Sequence, residues 1–516
     1  MKVRATKIVE QARRDAYPIG EGKAAHDAPE ERSVGSPAAG KDDYLKLAEL
    51  PDGARILQLG WGSVGRAILP LLLRHIEIDP RQITVIEKDE NTEDFKEIYG
   101  HLGVGYKVVE ILEDNMAGEL AKHVSSGGFI VDLAVNIDST DILNWCRKNG
   151  VKYINTSLER WNDVHDEDIP DLGKRTLWQS HKDLRKAVAG WPKGSPTCVV
   201  THGANPGLVT HFTKAALLDI AKAMDLKVNT PTTQAGWARL MQLTGTQVVQ
   251  IAERDTQIID RPKEMGEFVC SWSCEGFWAE GRAPSELGWG THERGKPANG
   301  DVQPDGRAAY LMQPGVSTLV RSWVPLGGVF AGFLVQHSEA ITINQYFSVR
   351  QEGKVVFAPT VYYAYQPIDA AIASVHEIRG RGLEMQRTTR IARDEIVSGI
   401  DELGVLLLGH KKNAWWYGSQ LGIDEARRLI PGQNATALQV VASMLGAIVW
   451  AIKNPKMGYV EPESLPFEEV LQVARPYLGP IASVQSDWRP LYEKDALFYT
   501  PENSRVPFAF ENFKVI

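Results

Sequence analysis

The chain has little cysteine, no long apolar run and no surplus of positive charge. Its 516 residues include only four cysteines, and the spacing of Cys146, Cys198, Cys270 and Cys274 matches no common zinc pattern. We therefore predict reduced, buried thiols in a cytoplasmic protein, with no metal site. No run of about eighteen apolar residues is present, which argues against a membrane span. The net charge of −8 argues against nucleic acid as the principal partner, because phosphate binding needs a concentrated basic face.

A glycine-rich turn follows the first predicted strand. An apolar run ends in Gly60-Trp61-Gly62-Ser63-Val64-Gly65, an apolar helical segment follows, and a second apolar run ends in Glu87. This order is the dinucleotide-binding fingerprint, in which the glycines permit the tight turn, the approach of a pyrophosphate and close helix packing. Glu87 would accept hydrogen bonds from a ribose 2′-hydroxyl and repel a 2′-phosphate, which favours NAD over NADP. A turn that merely connects two elements is the alternative interpretation.

Strand-like and helical segments alternate from residue 54 to about 205, which is typical of βαβ units and a parallel sheet. The predicted strands are 55–59, 83–87, 106–109, 128–134, 151–155 and 197–201. Between about 225 and 400, alternating runs such as 268–273 and 331–337 indicate a mixed or antiparallel sheet. The predicted fold class is therefore α/β, with a Rossmann-type parallel NAD-binding sheet and an α+β substrate domain that contains a mixed or antiparallel sheet.

Four segments are expected in a chain of this length, which exceeds one ordinary core. Residues 1–45 are rich in charge, alanine, glycine and proline, and we predict a flexible N-terminal extension without a secretory signal. The NAD-binding domain is predicted at 46–206 and the substrate-binding domain at 207–400. Helical patterns at 435–452 and 467–474 predict a helical segment over 401–516 that packs back on the NAD-binding domain.

Polar residues interrupt apolar or strand-like runs in the predicted substrate domain. They are Glu253, Trp272, Glu280, His337 and Glu339. Each of them alone is compatible with an exposed strand face, a structural ion pair or ordinary core packing. Composition and spacing therefore indicate an NAD-linked enzyme and leave its substrate open.

Five motifs resemble those of the bacterial homospermidine synthases. They lie at 202–207 (His-Gly-Ala-Asn-Pro-Gly), 252–257, 286–294, 399–407 and 412–421. The resemblance covers about residues 54–500 in consistent order. It implies a saccharopine-dehydrogenase-like protein, commonly a homodimer, that joins two putrescines into sym-homospermidine and releases ammonia. It also implies NAD as a retained redox cofactor, with oxidation of an amine to an imine, condensation with the second putrescine, and reduction of the new Schiff base.

The resemblance further implies roles for individual residues. Putrescine is a dication, and burying an ammonium without counter-charge is costly, so carboxylates must line its pocket. A cation–π contact to an ammonium or iminium is implied for Trp272. The implied catalytic residues are Trp272, Glu253, His337, Glu339 and Asn205; the implied substrate-binding residues are Glu280, Asp401 and Glu159; and the implied cofactor-binding residues are Gly60, Gly62, Ser63, Val64, Gly65, Glu87, Val135 and Asn136. The general base is left open. The family carries an acid at the position of Asn136, and Asp138 is expected to take its place.

Two other functions compete with this one. A saccharopine or carboxynorspermidine type of NAD(P)-dependent dehydrogenase would present an arginine to the carboxylate of its substrate, whereas acids dominate the predicted pocket. A non-catalytic NAD-binding sensor would have no evident use for so many acids beside an apolar ring. The sequence therefore favours a transferase that uses NAD, with putrescine and related diamines as partners.

Overall fold

The structure is a computed structural model that describes residues 45–90, 93–161, 169–490 and 506–515. The predicted flexible extension, 1–45, lies outside the described residues apart from Leu45. The strands are β1 (Ala48–Glu49), β2 (Ile56–Leu59), β3 (Ile76–Glu77), β4 (Ile83–Glu87), β5 (Gly105–Val108), β6 (Phe129–Asp132), β7 (Lys152–Asn155), β8 (Cys198–Val199), β9 (Val248–Asp255), β10 (Ile258–Ile259), β11 (Glu267–Cys270), β12 (Pro284–Gly288), β13 (Gly300–Val302), β14 (Ala308–Pro314), β15 (Leu319–Val324), β16 (Gly328–Phe333), β17 (Val349–Gln351), β18 (Lys354–Phe357), β19 (Thr360–Gln366), β20 (Thr388–Ile391), β21 (Ile396–Ser398), β22 (Ile400–His410), β23 (Asn413–Gly422), β24 (Tyr459–Val460) and β25 (Ile481–Ser486).

Helices connect these strands. The α-helices span Ser63–His75, Glu93–Tyr99, Met116–His123, Ser139–Asn149, Leu177–Val188, Leu208–Ala223, Gln234–Thr244, Cys274–Arg282, Ser338–Tyr346, Asp369–Gly380, Ile423–Leu429, Ala435–Lys453 and Phe467–Ala474. Short 3-10 helices span Pro80–Gln82, Gly100–Leu102, Leu172–Arg175, Gly315–Ser317, Pro462–Ser464, Arg475–Tyr477 and Phe510–Asn512.

The first sheet is parallel and has the strand order β24-β8-β7-β6-β2-β4-β5. Strands β2 and β6 are buried along their whole length, because helices cover both faces of a parallel sheet and near-continuous apolar strands suit that position. The predicted Rossmann-type sheet is confirmed. Loops that follow neighbouring parallel strands meet at the carboxyl edge of such a sheet, where ligands bind.

The second sheet is mixed and runs β13-β14-β12-β19-β9-β22-β23-β25, with β15 and β16 joined beside β19. Strand β9 lies at its centre, parallel to β19 and antiparallel to β22. In this register Asp255 of β9 lies directly opposite Asp401 of β22. The predicted mixed sheet is confirmed, and its register brings two carboxyl groups face to face.

The prediction that 401–516 is a helical segment is wrong in part. This segment also contains three strands of the mixed sheet, β22, β23 and β25. The apolar run Leu403–Leu408 is buried on both faces of β22, and a strand buried on both faces has no alternation that separates it from a buried helix. The expected helices Ala435–Lys453 and Phe467–Ala474 do form. The first of them packs against Ser63–His75. The proposed domain boundaries stay predictions.

The helix Ala435–Lys453 is long and apolar enough to cross a membrane, but 94% of its apolar window is buried inside the protein. Apolar residues all around a helix are expected where it is enclosed by a core. Its N-terminal turn lies against β9 and β22, since Thr436 contacts acidic side chains of both strands. This core helix therefore helps to build the site described below.

Candidate active site

The glycine-rich turn lies at the carboxyl end of β2. Gly60 has φ +93° and a Cβ there would lie 2.8 Å from the Leu133 carbonyl oxygen, while a Cβ on Gly65 would lie 2.4 Å from the Gly60 carbonyl oxygen. The Cβ position of Gly62, by contrast, has no described heavy atom within 4 Å. Gly60 and Gly65 are thus required by the fold, and Gly62 leaves space for a ligand to approach the backbone.

Two side chains hold this turn in place. Buried Gln58 donates from Nε2 to the carbonyl oxygens of Gly60 at 2.9 Å and of Gly65 at 3.0 Å, a role that the sequence analysis missed. Glu87 accepts hydrogen bonds from the Trp61 N–H at 2.6 Å and from the Lys88 N–H at 2.8 Å. The N-cap residue of the helix Ser63–His75 is Gly62, and no side chain among the described residues caps this end of the helix. The first N–H groups of the helix can therefore bind an anion.

The predicted cofactor residues Val135 and Asn136 lie in the loop that follows β6. Val135 is 40% exposed, and Asn136 has φ +67° and donates its N–H to Glu159 Oε2 at 3.3 Å. Asp138 Oδ1 accepts from two backbone N–H groups and caps the helix Ser139–Asn149. The expectation that Asp138 takes the place of an acid at Asn136 stays a prediction.

Two glycine substitutions should distinguish an effect on the stability of the turn from an effect on NAD binding. In Gly65→Ala the added methyl meets backbone, so we expect a loss of about 1–3 kcal/mol in the free energy of unfolding and weaker NAD binding. In Gly62→Ala the methyl enters open space, so the ligand-free stability should be unchanged while NAD binding falls about tenfold or more. Thermal unfolding and NAD titration measure both effects. Equal losses of stability in the two variants would contradict this interpretation.

Three buried carboxyl groups converge beside the second sheet. Glu253, Asp255 and Asp401 are 2%, 2% and 0% exposed, and no ion pair between described residues includes any of them. Burial raises the pKa of Glu253 to about 8 and of Asp255 to about 6, and raises the pKa of Asp401 well above its usual range. Opposed, desolvated carboxyl groups are costly to the fold, so the cluster is suited to a cationic ligand.

A stacked pair of tyrosines links Glu253 to Trp272. Tyr363 and Tyr365 of β19 have ring centroids 5.1 Å apart and nearly parallel planes. The Tyr363 hydroxyl donates to Glu253 Oε2 at 2.6 Å, and Asn205 Nδ2 donates to the same oxygen at 2.9 Å. Trp272 Nε1 donates to the Tyr365 hydroxyl at 3.1 Å. The structure therefore brings Asn205, Glu253 and Trp272 together around the two tyrosines.

His337 lies between two carboxylates. Its Nε2 is 3.0 Å from Glu280 Oε2 and its Nδ1 is 3.3 Å from Glu339 Oε1. Burial alone lowers the pKa of His337, but Glu280 and Glu339 together raise it well above its usual range. The two carboxylates thus favour the protonated imidazole. Its ring centroid lies 4.5 Å from that of Tyr363, which joins this group to Glu253.

Glu159 connects these acids to the cofactor loop. Its Oε1 accepts from Ser157 Oγ at 2.7 Å, and its Oε2 accepts the Asn136 N–H noted above. Burial raises the pKa of Glu159, with a further contribution from the nearby charge of Glu280. A cavity of about 490 Å³ adjoins Glu159. Glu159 thus lies between the predicted nucleotide site and the predicted amine site.

The site also contains residues that the sequence analysis did not assign. They are Asp255, Tyr363, Tyr365 and Thr436. Strand alternation could have identified the first three, because Asp255 lies two residues beyond Glu253 and the tyrosines are two residues apart. Thr436 carried no such signal, since it reaches the site from the start of a distant helix.

Two protein-family models match most of the chain and define its class. Residues 56–199 match the saccharopine dehydrogenase NADP binding domain, and residues 203–486 match the saccharopine dehydrogenase C-terminal domain. The chain is therefore a protein of the saccharopine dehydrogenase class, in agreement with its parallel and mixed sheets.

More specific relatives define the family. The chain is 40% identical to a homospermidine synthase from Mesorhizobium japonicum and 42% identical to one from Blastochloris viridis, over 89% of its length and 96–97% of theirs. The crystal structure of the homospermidine synthase from Legionella pneumophila in complex with NAD shares 37% identity, with a TM-score of 0.84 over 90% of this chain and 98% of that one. The chain belongs to the homospermidine synthase family, and the family resemblance predicted from the five motifs is confirmed.

Proposed function

We propose that this chain joins two putrescines into sym-homospermidine with release of ammonia, and that the acidic site around Trp272 carries out the reaction. The observation that supports this most strongly is the buried group Glu253, Asp255 and Asp401, which has no protein cation against it among the described ion pairs. A diammonium substrate supplies the missing positive charge, since a buried charge is stabilised only when it is paired. The homospermidine synthase relatives favour this function over a saccharopine-type dehydrogenase.

NAD is the proposed cofactor, held by the glycine-rich turn. The open Gly62 position, the uncapped start of the helix Ser63–His75 and the Glu87 carboxylate beside Trp61 fit a dinucleotide without a 2′-phosphate. The Legionella relative was solved with NAD. When bound, NAD supplies reversible acceptance of a hydride, so an amine carbon can be oxidised and a later imine reduced without net redox change.

The acids divide naturally into two amine-binding groups. Asp401 and Glu253 lie on the central strands of the mixed sheet and would hold the inner ammonium of putrescine. Glu280, which is 25% exposed, would hold the outer ammonium together with Glu159. The half-buried ring of Trp272 would stabilise positive charge on the reacting carbon, because a cation–π contact strengthens when water is excluded.

Proton transfer falls to Glu253 and His337. The reacting ammonium must lose a proton before its carbon can be oxidised, and Glu253, with a pKa of about 8, is suited to accept that proton near neutral pH. Tyr363 and Asn205 donate to Glu253 Oε2 and stabilise its charged form. A proton at His337 Nε2, which Glu280 at 3.0 Å favours, would protonate the nitrogen that leaves as ammonia.

The function is tested by incubating the purified protein with putrescine and a catalytic amount of NAD, followed by mass analysis of the products. We expect homospermidine and ammonia in equal amounts without accumulation of NADH. Steady formation of NADH, or turnover only when an α-amino acid is supplied, would contradict the proposal and favour a dehydrogenase.

The pH dependence of stability should also reveal the amine site. A raised pKa means that the folded state holds protons on Glu253 and Asp255 that the unfolded state has lost, so the stability contributed by these groups falls as pH rises from about 4.5 to about 8. Putrescine supplies positive charge and should reverse this trend. We expect the rise in melting temperature with putrescine to be larger at pH 8 than at pH 6, measured by thermal unfolding at constant ionic strength. A pH-independent rise would contradict the model of raised carboxyl pKa values.

The assembly and location of the chain are also proposals. All four cysteines are free and buried, which supports the predicted reduced thiols and is consistent with the reducing cytoplasm. The family resemblance supports a homodimer, and light scattering of the purified protein tests it.

A further inference from the structure

The Thr436 hydroxyl bridges two carboxyl groups that face each other across strands β9 and β22. Thr436 Oγ1 lies 2.8 Å from Asp401 Oδ2 and 3.2 Å from Asp255 Oδ2. All three residues are buried. Thr436 is held at this position by the first turn of the helix Ala435–Lys453, whose cap is Asn434.

One hydroxyl can donate only one proton, so it cannot satisfy two ionised carboxylates at once. If both carboxyl groups were charged, the Thr436 proton could point to only one of them. No proton would then lie between Thr436 Oγ1 and the oxygen of the other carboxylate, and the two oxygens would repel each other. One of the two carboxyl groups therefore carries a proton, which it donates to Thr436 Oγ1, while Thr436 donates to the other.

The remaining contacts show which group is charged. Asp255 accepts from the Gln257 N–H at 2.9 Å, from Gln257 Nε2 at 3.0 and 3.1 Å, and from Ser271 Oγ at 3.0 Å. Asp401, by contrast, is fully buried and its Oδ1 has no hydrogen-bond partner among the described residues. Donors stabilise a carboxylate, so the negative charge lies on Asp255 and the proton on Asp401 in the free protein.

We propose that Thr436 relays a proton from Asp401 to Asp255 when a substrate ammonium binds at Asp401 Oδ1, so that Asp255 stores the proton inside the protein. The bond between Asp401 Oδ2 and its proton breaks, that proton joins Thr436 Oγ1, and the original hydroxyl proton passes to Asp255 Oδ2. Asp401 becomes the charged partner of the ammonium, Asp255 becomes neutral, and no proton enters or leaves. This proposal rests on the proposed diamine function and assigns Asp255 and Thr436 as positioning residues that act through Asp401.

Two further groups contact Thr436 Oγ1: Gln257 Nε2 donates to it at 3.2 Å, and Ser271 Oγ lies 3.4 Å from it and donates to Asp255 Oδ2. Neither of them is an anion, so neither can hold the proton in place of Asp255. Glu253 on β9, Glu402 on β22 and Tyr365 on β19 lie near enough to affect the charges of Asp401 or Asp255, but Glu253 and Glu402 are bonded elsewhere. Gln257 and Ser271 contact Asp255 rather than Asp401. The relay lets a fully buried acid change its charge without exchanging a proton with water.

The test compares Thr436→Val, which removes the hydroxyl at nearly constant shape, with Thr436→Ser, which keeps it. Proton release on putrescine binding is measured by calorimetry of the NAD-loaded protein in buffers of different ionisation enthalpy. We expect Thr436→Val to release about one more proton per putrescine than the unmodified protein, because Asp401 must lose its proton to water. The acidic limb of its kcat/KM profile should move up by about one pH unit, a tenfold loss below that limb. Thr436→Ser should match the unmodified protein in both measurements.

Asp255→Asn and Ser271→Ala complete the test. Asp255→Asn removes the acceptor and should release the same additional proton as Thr436→Val, whereas Ser271→Ala removes a contact of Asp255 but leaves the relay and its proton count unchanged. Identical proton release and pH profiles in Thr436→Val and Thr436→Ser would overturn the relay. Failure of the unmodified protein to form homospermidine would instead overturn the proposed function, so the two failures are distinguishable.

Discussion

Glu253→Gln should lower kcat/KM for putrescine by about a thousandfold while NAD binding changes little. Glutamine has nearly the same shape as glutamate but lacks its charge, so the bound ammonium would lose a buried counter-charge. Removing one partner of a buried pair costs about 3–5 kcal/mol, which corresponds to this loss. In the unmodified protein we expect kcat/KM to rise between neutral pH and pH 8 as Glu253, with a pKa of about 8, loses its proton. The variant should lack this rise.

Glu402→Gln is the matched control for Glu253→Gln. Glu402 is a buried acid in the adjacent strand β22, and it accepts from the backbone N–H groups of Leu326 and Gly327 rather than from residues of the amine site. We expect Glu402→Gln to lower the melting temperature and to leave KM for putrescine nearly unchanged. Steady-state kinetics and NAD titration of both variants measure this difference. Similar changes of KM in the two variants would show that Glu253 has only a structural role.

The nucleotide site was predicted best from the sequence, because the residues of its motif lie close together along the chain. Gly60, Gly65 and Glu87 lie within one βαβ unit and are recognised by their spacing along the chain, and the packing of Gly65 against Gly60 is a consequence of chain geometry within that unit. The strands at its core were also predicted closely, since short, fully apolar runs between turns indicate buried parallel strands.

The amine site depends on long-range register, which no local pattern shows. Asp255 and Asp401 are far apart in sequence and face each other only because β9 pairs with β22. Thr436 comes from a third segment, the helix Ala435–Lys453. The sequence pattern predicted this helix correctly but could not show that it lies beside Asp401. The resemblance to the family supplied Asp401, strand alternation could have indicated Asp255, and Thr436 required the structure.

The prediction of a helical segment over 401–516 was wrong for the same reason, because its conformation depends on long-range strand pairing. The run Leu403–Leu408 is uniformly apolar and fully buried in β22, so neither helical nor strand periodicity is visible in it. Its assignment depends on the presence of β9 and β23 on either side. Strand pairing, rather than intrinsic preference, decided the conformation of this segment.

Trp272→Ala should lower kcat about a hundredfold, whereas Trp272→Phe should lower it less than tenfold. A desolvated cation–π contact is worth about 2 kcal/mol or more, and alanine removes both this contact and the packing of the ring beside Phe277. Phenylalanine keeps a ring face but loses the Nε1 hydrogen bond to the Tyr365 hydroxyl. Tyr365→Phe removes the same hydrogen bond and keeps the indole, so it measures that bond separately.

These three variants together identify what the indole contributes. If the ring face stabilises positive charge on the reacting carbon, then Trp272→Phe and Tyr365→Phe should have similar, modest effects on kcat, and only Trp272→Ala should show the large loss. Single-turnover rates with putrescine and NAD separate this effect from product release. Equal losses in Trp272→Ala and Trp272→Phe would show that Trp272 acts through its hydrogen bond to Tyr365, and the positive charge of the intermediate would then depend on the surrounding carboxylates alone.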